Sequence, residues 1–597
     1  MKLGEFAVGG WARRGAVIAG IGAALGAPGA LGGCGADPVD PPPEPEIEVS
    51  AARPPPPISG GTLLVAADGR IVVAADPDRD RITLVDLVSK TISAVLPLEP
   101  LDEPGRVVEG PPGRVHVALR RGGAVASFNI KGKQITRTPV CPAPRGMAYD
   151  AAANTIHVAC AGGELVTLSA ASGAEVRRLR LEPDLRDVVI FGDGLLVSLF
   201  RSAEVLEIDA AGAVVKSHGL QEPTFSLTGV FGPKVAWRMV PLPTGGAAIV
   251  HQLHAFEGVS TSPGGYGESG GCGDGIVRST VTFLEPASGS EPKSNAAIGQ
   301  SALPVDLALS ADGSKLAIVA PGSGTVFGTT LSAYRAGAGA DVCGNLMPTP
   351  LAEGQPIAVA FAGALRVIQT REPPRLVLGD EAIIELPGET TLDTGHELFH
   401  RSATPEIGIS CASCHPEGRD DGHVWEFFTG SRRTQSLAGG VLATAPLHWE
   451  GDLEGFDSLM GEVFSGRMGG PPQTPRRVRA IALWVDSIPF LPASPAPDMS
   501  AVERGKAIFE DAYVGCATCH SGPRLTNNAS VDVGTGGVFQ VPSLRGVSAR
   551  APFMHNGCAP TLRDRFGFYC GGDDRHGVTS SLTAEDIDDL VSYLETL

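Results

Sequence analysis

Between residues 58 and 388 apolar and polar positions alternate in short runs broken by Gly, Asp and Pro. Examples are Arg81-Ile-Thr-Leu-Val-Asp86, Ala124-Val-Ala-Ser-Phe-Asn129, Glu164-Leu-Val-Thr-Leu-Ser169 and Glu204-Val-Leu-Glu-Ile-Asp209, and between them lie pieces such as Pro144-Arg-Gly-Met-Ala-Tyr-Asp150 and Pro304-Val-Asp-Leu-Ala-Leu-Ser310. Alternation of this kind predicts half-buried strands. The runs recur at about 40-residue intervals, so strand-rich units of one size follow each other, which predicts an all-β propeller of roughly seven blades. After residue 388 the period lengthens. Pro475 to Ile488 (apolar at Ile481, Leu483, Trp484 and Ile488) and Thr583 to Leu597 (apolar at Ile587, Leu590, Val591, Tyr593 and Leu594) predict amphipathic helices.

Composition narrows the class. The 597 residues carry a formal charge of -19 with 78 Gly, 49 Pro and few aromatic side chains. That suits a loop-rich β protein and argues against nucleic acid as a partner. Lys2, Arg13 and Arg14 precede a small apolar run ending in Leu31-Gly32-Gly33-Cys34. Residues 1–34 read as an export segment of lipoprotein type, in which Cys34 receives lipid and anchors the chain to a membrane. Residues 35–57 read as an extended Pro-rich linker.

Two stretches carry the chemistry. Cys411-Ala-Ser-Cys414-His415 and Cys516-Ala-Thr-Cys519-His520 both have the spacing of c-type haem attachment. Two thiols three positions apart reach two vinyl groups of one porphyrin, and the adjacent His supplies the proximal imidazole. Gly395-His-Glu-Leu-Phe399 precedes the first motif and Gly505-Lys-Ala-Ile-Phe509 the second. Residues 389–497 and 498–597 therefore read as two mainly helical cytochrome c domains, a tandem repeat of roughly 105–110 residues carrying two covalent haems. Six other cysteines remain, an even number suited to disulfides in an oxidising compartment. Proximity favours Cys141–Cys160, Cys272–Cys343 and Cys558–Cys570, although six cysteines allow fifteen pairings. The Gly-rich stretch 264–275 reads as a surface insertion held by a disulfide, with His251 and His254 before it as ordinary loop residues.

The propeller text resembles the YVTN-type propellers of exported bacterial proteins. Residues from about 390 onward resemble the bacterial di-haem cytochrome c peroxidase and MauG family. The matching text is Asp421-Gly-His423, Ala445-Pro-Leu-His-Trp-Glu-Gly451, Arg467-Met-Gly469, Val541-Pro-Ser-Leu-Arg-Gly546, Ala551-Pro-Phe-Met-His-Asn-Gly557 and Thr561-Leu562, besides the two attachment motifs. The resemblance implies that hydrogen peroxide meets the haem of His415, with His423 as its distal residue, and that Trp449 carries electrons between the haems. It places Tyr569 at the distal position of the second haem, with Met554 and His576 as alternatives. Met468 stands where simple cytochromes c carry a sixth ligand, which would close the first haem. Arg467 replaces the family's acidic residue. A guanidinium cannot act as a base at neutral pH, so it stabilises charge instead, leaving Glu450, Glu462 or Asp452 for acid–base work. The resemblance further implies a periplasmic redox protein or an oxidised protein side chain as electron source, and brings in calcium as a further candidate ion.

Overall fold

The computed structural model describes residues 48–597, apart from 221–223, 227–228, 257, 268–274, 287–288, 290–291, 337–347, 353, 405–407, 497 and 572. Residues 1–34, expected to be an export segment ending in Cys34, and Cys272 and Cys343 lie outside the described residues.

Seven antiparallel sheets follow one another along the chain, at residues 63–97, 104–139, 144–180, 185–218, 224–294, 306–350 and 356–385. Six have four strands and the fifth has five. This is the seven-bladed propeller predicted from the repeat. The runs read from sequence are the third strands of the first four blades: Arg81–Asp86, Ala124–Asn129, Glu164–Ser169 and Val205–Ile208. The intervening pieces are first strands, Pro144–Asp150 and Asp306–Leu309. Each blade comes from one continuous segment, so the ring closes through side chains. Leu63, Val72 and Val85 of the first blade pack on Ala358, Val367 and Leu376 of the last. Gln369 adds two hydrogen bonds across that seam, accepting from Thr62 Oγ1 and donating to the Ala75 carbonyl, each at 2.8 Å.

Beyond the propeller come two helical units of one plan. The first opens with the helix Thr394–His400 and closes with Pro475–Asp486. The second opens with Met499–Glu510 and closes with Ala584–Leu594. In each, a glycine lets the helices cross. A Cβ at Gly395 would lie 2.3 Å from the Ala480 carbonyl, and one at Gly505 would lie 1.8 Å from that of Asp589. A methyl group has no room at either crossing.

The two units differ in their surroundings. Leu398, Phe399, Ala412 and Trp484 of the first belong to the same apolar core as Trp237, Val250 and Phe327 of the propeller. The second has a separate core of Phe509, Val547, Leu562, Leu590 and Leu594. The expected linker also behaves differently from its composition. Its described part, 48–57, lies along the first unit: Pro55 and Pro56 offer carbonyls to Trp484 Nε1 at 3.0 Å and His396 Nε2 at 3.2 Å. Proline cannot donate, but its carbonyl accepts, and these buried rings need acceptors.

Candidate functional site

One cavity of about 1050 Å³ lies where the helical units meet. Cys411, Cys414 and His415 line it from one side, and Cys516, Cys519 and His520 from the other. Each Cys pair spans a single helical turn, Cys411–Cys414 and Cys516–Cys519, so both thiols of a pair lie on one face. Each histidine is oriented from behind. His415 Nδ1 donates to the Arg419 carbonyl at 3.0 Å, and His520 Nδ1 donates to that of Leu525 at 3.2 Å. That bond fixes the tautomer and leaves Nε2 as the basic nitrogen, the arrangement of an imidazole prepared for a metal. Burial pushes the Cys411 thiol up to about 12 and the Cys414 thiol well above its ordinary value. Among the described residues no cluster of three or more His, Cys, Asp or Glu side chains is arranged to hold a metal ion.

A second imidazole stands across from one of the two. The rings of His520 and His576 are 6.3 Å apart and inclined by 32°. With metal–imidazole bonds of about 2 Å, that gap accommodates one iron. His576 Nδ1 is buried and has no hydrogen-bond partner among the described residues. At the first site, no ring faces His415 at a comparable distance among the described residues.

The other residues singled out in the sequence fall into two groups. Trp449, Glu450, Arg467, Met468 and Met554 line the cavity. Trp449 donates from Nε1 to the Arg433 carbonyl at 2.7 Å, accepts from Gln540 N at 2.7 Å, and lies 6.3 Å from the His555 ring, so it stands at the join of the units. Glu450 is paired with Arg432 at 2.5 Å, and Glu462 is paired with Arg467. Glu462 itself is not part of the wall.

His423 and Tyr569 depart from expectation. His423 is buried but turned away: Nε2 donates to the Ala255 carbonyl of the propeller at 2.9 Å, and the ring packs on Trp425 and Phe256. The Asp-Gly-His text matched locally, but the fifth blade claims its side chain. Tyr569 is 94% exposed and lies outside the cavity. The neighbouring Cys558–Cys570 disulfide holds that turn at the surface. Cys141–Cys160 is bonded as proximity suggested. His251 and His254 are fully buried within the strand Ala247–Ala255, not in a loop.

Three wall residues were missed or ranked low: His576, Tyr266 and His448. His448 has a signal in the sequence. Ala445-Pro446 and Ala551-Pro552 open duplicated loops, each closed by a bridge (Leu447 with Leu453, Phe553 with Ala559). His448 and Met554 occupy the same position in them, both with φ near 69°. His448 Nδ1 faces Asp452 Oδ1 at 3.3 Å.

Below the first motif, Asp421 is buried beside His254, Lys234, Asp420 and His423, and burial pushes its carboxyl up to about 7. An unfolded Asp titrates at about 3.9. The folded value is higher, so the stability this group contributes is complete below about pH 4 and is lost as pH rises through about 7. Buried histidines with lowered pKa values give the opposite slope below about pH 6.5, so the expected result is a difference: in urea denaturation the wild type should lose stability relative to Asp421→Asn as pH rises from 5 to about 7. Parallel profiles for the two proteins would contradict the assignment.

Comparison with known proteins agrees with this geometry. The cytochrome c family model matches residues 502–597, which contain the second motif. Residues 502–597 are a cytochrome c domain. A covalent haem c on Cys516 and Cys519 follows. The hydrazine synthase subunit gamma of Kuenenia stuttgartiensis is 29% identical over 254 residues, covering 32% of this chain and 72% of that protein. The cytochrome-c peroxidase IdrP2 of Pseudomonas sp. (strain SCT) is 24% identical over 331 residues, 40% of this chain and 88% of that one. A solved Kuenenia stuttgartiensis hydrazine synthase chain aligns with 58% of this chain and 99% of its own length, at 18% identity and a TM-score of 0.45.

Proposed function

We propose that this chain is an exported di-haem cytochrome c oxidoreductase that reduces hydrogen peroxide at the haem of His415 and draws the electrons through the haem of His520. Its relatives carry the names of haem enzymes, a cytochrome-c peroxidase and a hydrazine synthase subunit, which supports the oxidoreductase class. The observation that carries the finer reading is the inequality of the two sites. His520 faces His576 across 6.3 Å, and an iron held by two imidazoles has no vacant position, which suits electron transfer. His415 has no such counterpart among the described residues, and Tyr266, His448 and Arg467 stand as polar groups in its largely apolar cavity.

Haem with an available axial position supplies the redox chemistry, in which peroxide takes two electrons and two protons and leaves as two waters. The chain's own residues would do the rest. Arg467, permanently charged, favours a departing hydroxide. His448, held by Asp452 at 3.3 Å, is placed to move a proton. Trp449, at the join of the units, offers an aromatic path between the haems. The electron source is a small periplasmic redox protein, or a protein substrate whose side chain is oxidised as peroxide is reduced. Lipid on Cys34 would hold the assembly at the membrane, and the disulfides suit that compartment.

Mass spectrometry of the mature protein should find two added tetrapyrroles. Its ferric electron paramagnetic resonance spectrum should show one low-spin and one high-spin centre, with peroxide abolishing only the high-spin signal. Met468, buried in the cavity wall, supports the competing reading of electron transfer alone. Two low-spin signals indifferent to peroxide would establish that reading and sink the enzyme.

A further inference from the structure

The described residues at the two ends of the Gly-rich segment of the fifth blade are bound to the first helical unit. Val259 N donates to the Glu426 carbonyl at 3.1 Å, and Val259 forms a parallel bridge with Phe427. Gly264 N donates to Gly466 at 2.8 Å, and Tyr266 N to Arg467 at 3.0 Å. A Cβ on Gly275 would meet the Ile409 side chain at 2.1 Å. Residues 259–266 are thus tied to the first helical unit at several points, and Tyr266 reaches the wall of the cavity that holds Cys414 and His415.

There Arg467 Nη1 donates to the Tyr266 phenol oxygen at 3.4 Å. The same guanidinium is paired with Glu462, so its orientation is set. Arginine only donates, so this contact uses a lone pair of the phenol and leaves the O–H proton for another acceptor. We propose that Tyr266 is a ligand-recognising residue of the first haem site: its phenol, steadied by Arg467, donates a hydrogen bond to a small oxygen-donor or anionic ligand entering the cavity. This rests on the proposed open position at that haem. Burial raises the phenol's pKa, which keeps the proton available at neutral pH. The propeller is then part of the reaction site.

The test is fluoride titration of the full-length ferric holoprotein, followed optically. Tyr266→Phe should weaken fluoride binding about tenfold, the effect of losing one charge-assisted hydrogen bond. Haem content and the low-spin signal of the second site should not change. Should that variant fail to accumulate, Arg467→Lys, which releases the phenol, should weaken binding in the same direction. Wild-type fluoride affinity in the variant overturns the role of Tyr266 alone. A wild-type protein that binds no fluoride at either haem overturns the peroxide reading and this inference with it.

Discussion

Replacing His576 with alanine should turn the haem of His520 from a low-spin centre into a high-spin one, visible in both the optical and the paramagnetic resonance spectra. The loop bearing His576 is anchored against the attachment motif by Val578 N, which donates to the Val514 carbonyl at 2.9 Å. Arg565 holds the His576 carbonyl. The imidazole is therefore delivered to its position by the backbone, and alanine leaves the loop in place while removing the ligand. His576→Met should restore six-coordination and raise the reduction potential, since thioether ligation favours ferrous iron. Tyr569→Phe should leave every spectrum as it was, because that side chain is in solvent. A low-spin spectrum that survives in His576→Ala would transfer the role to Met554, which also lines the cavity.

Substituting Glu417 with alanine should cost about 3–5 kcal/mol of stability, measured by denaturant unfolding of the holoprotein. Glu417 follows the first attachment motif by two residues, yet its carboxylate sits in the propeller. Arg186, Arg145 and Arg120 approach it at 2.6, 3.4 and 3.6 Å, and Ser59 Oγ donates at 2.5 Å. The guanidiniums come from the fourth, third and second blades. Burial alone would raise this carboxyl's pKa, but the arginines outweigh it and hold it well below its usual range. Removing the anion leaves buried Arg186 without the carboxylate it pairs with, while among the described residues Arg145 and Arg120 keep only Asp184 and Glu103. Glu417→Gln keeps the shape and should still lose most of that stability. A loss below about 1 kcal/mol, the range of exposed ion pairs, would contradict the assignment.

Both expectations concern contacts between segments far apart in the sequence, and this is where legibility ended. The blades could be read because each strand's alternation is local and repeats. The opening and closing helices could be read because their apolar spacing is local too. The attachment motifs are five consecutive residues. His423 failed because matching text says nothing of the fifth blade's carbonyl at Ala255. Tyr569 failed because counting forward from Thr561 ignores how the Cys558–Cys570 bond folds the intervening turn outward. The segment 264–275 has the composition of a free loop, and nothing in that text announces the backbone bonds of Gly264 and Tyr266 to Gly466 and Arg467. His448 was within reach, since the two Ala-Pro loops are visibly copies.

The copies of the haem unit have nevertheless met different fates. Residues of the first are embedded in the propeller's own interior, whereas the second keeps an interior to itself. Substitutions inside the second unit's apolar core therefore disturb that unit alone. The unit around His415 has no such freedom: any change to it must also satisfy the blades that enclose it, and its chemistry and the propeller's shape are inherited together.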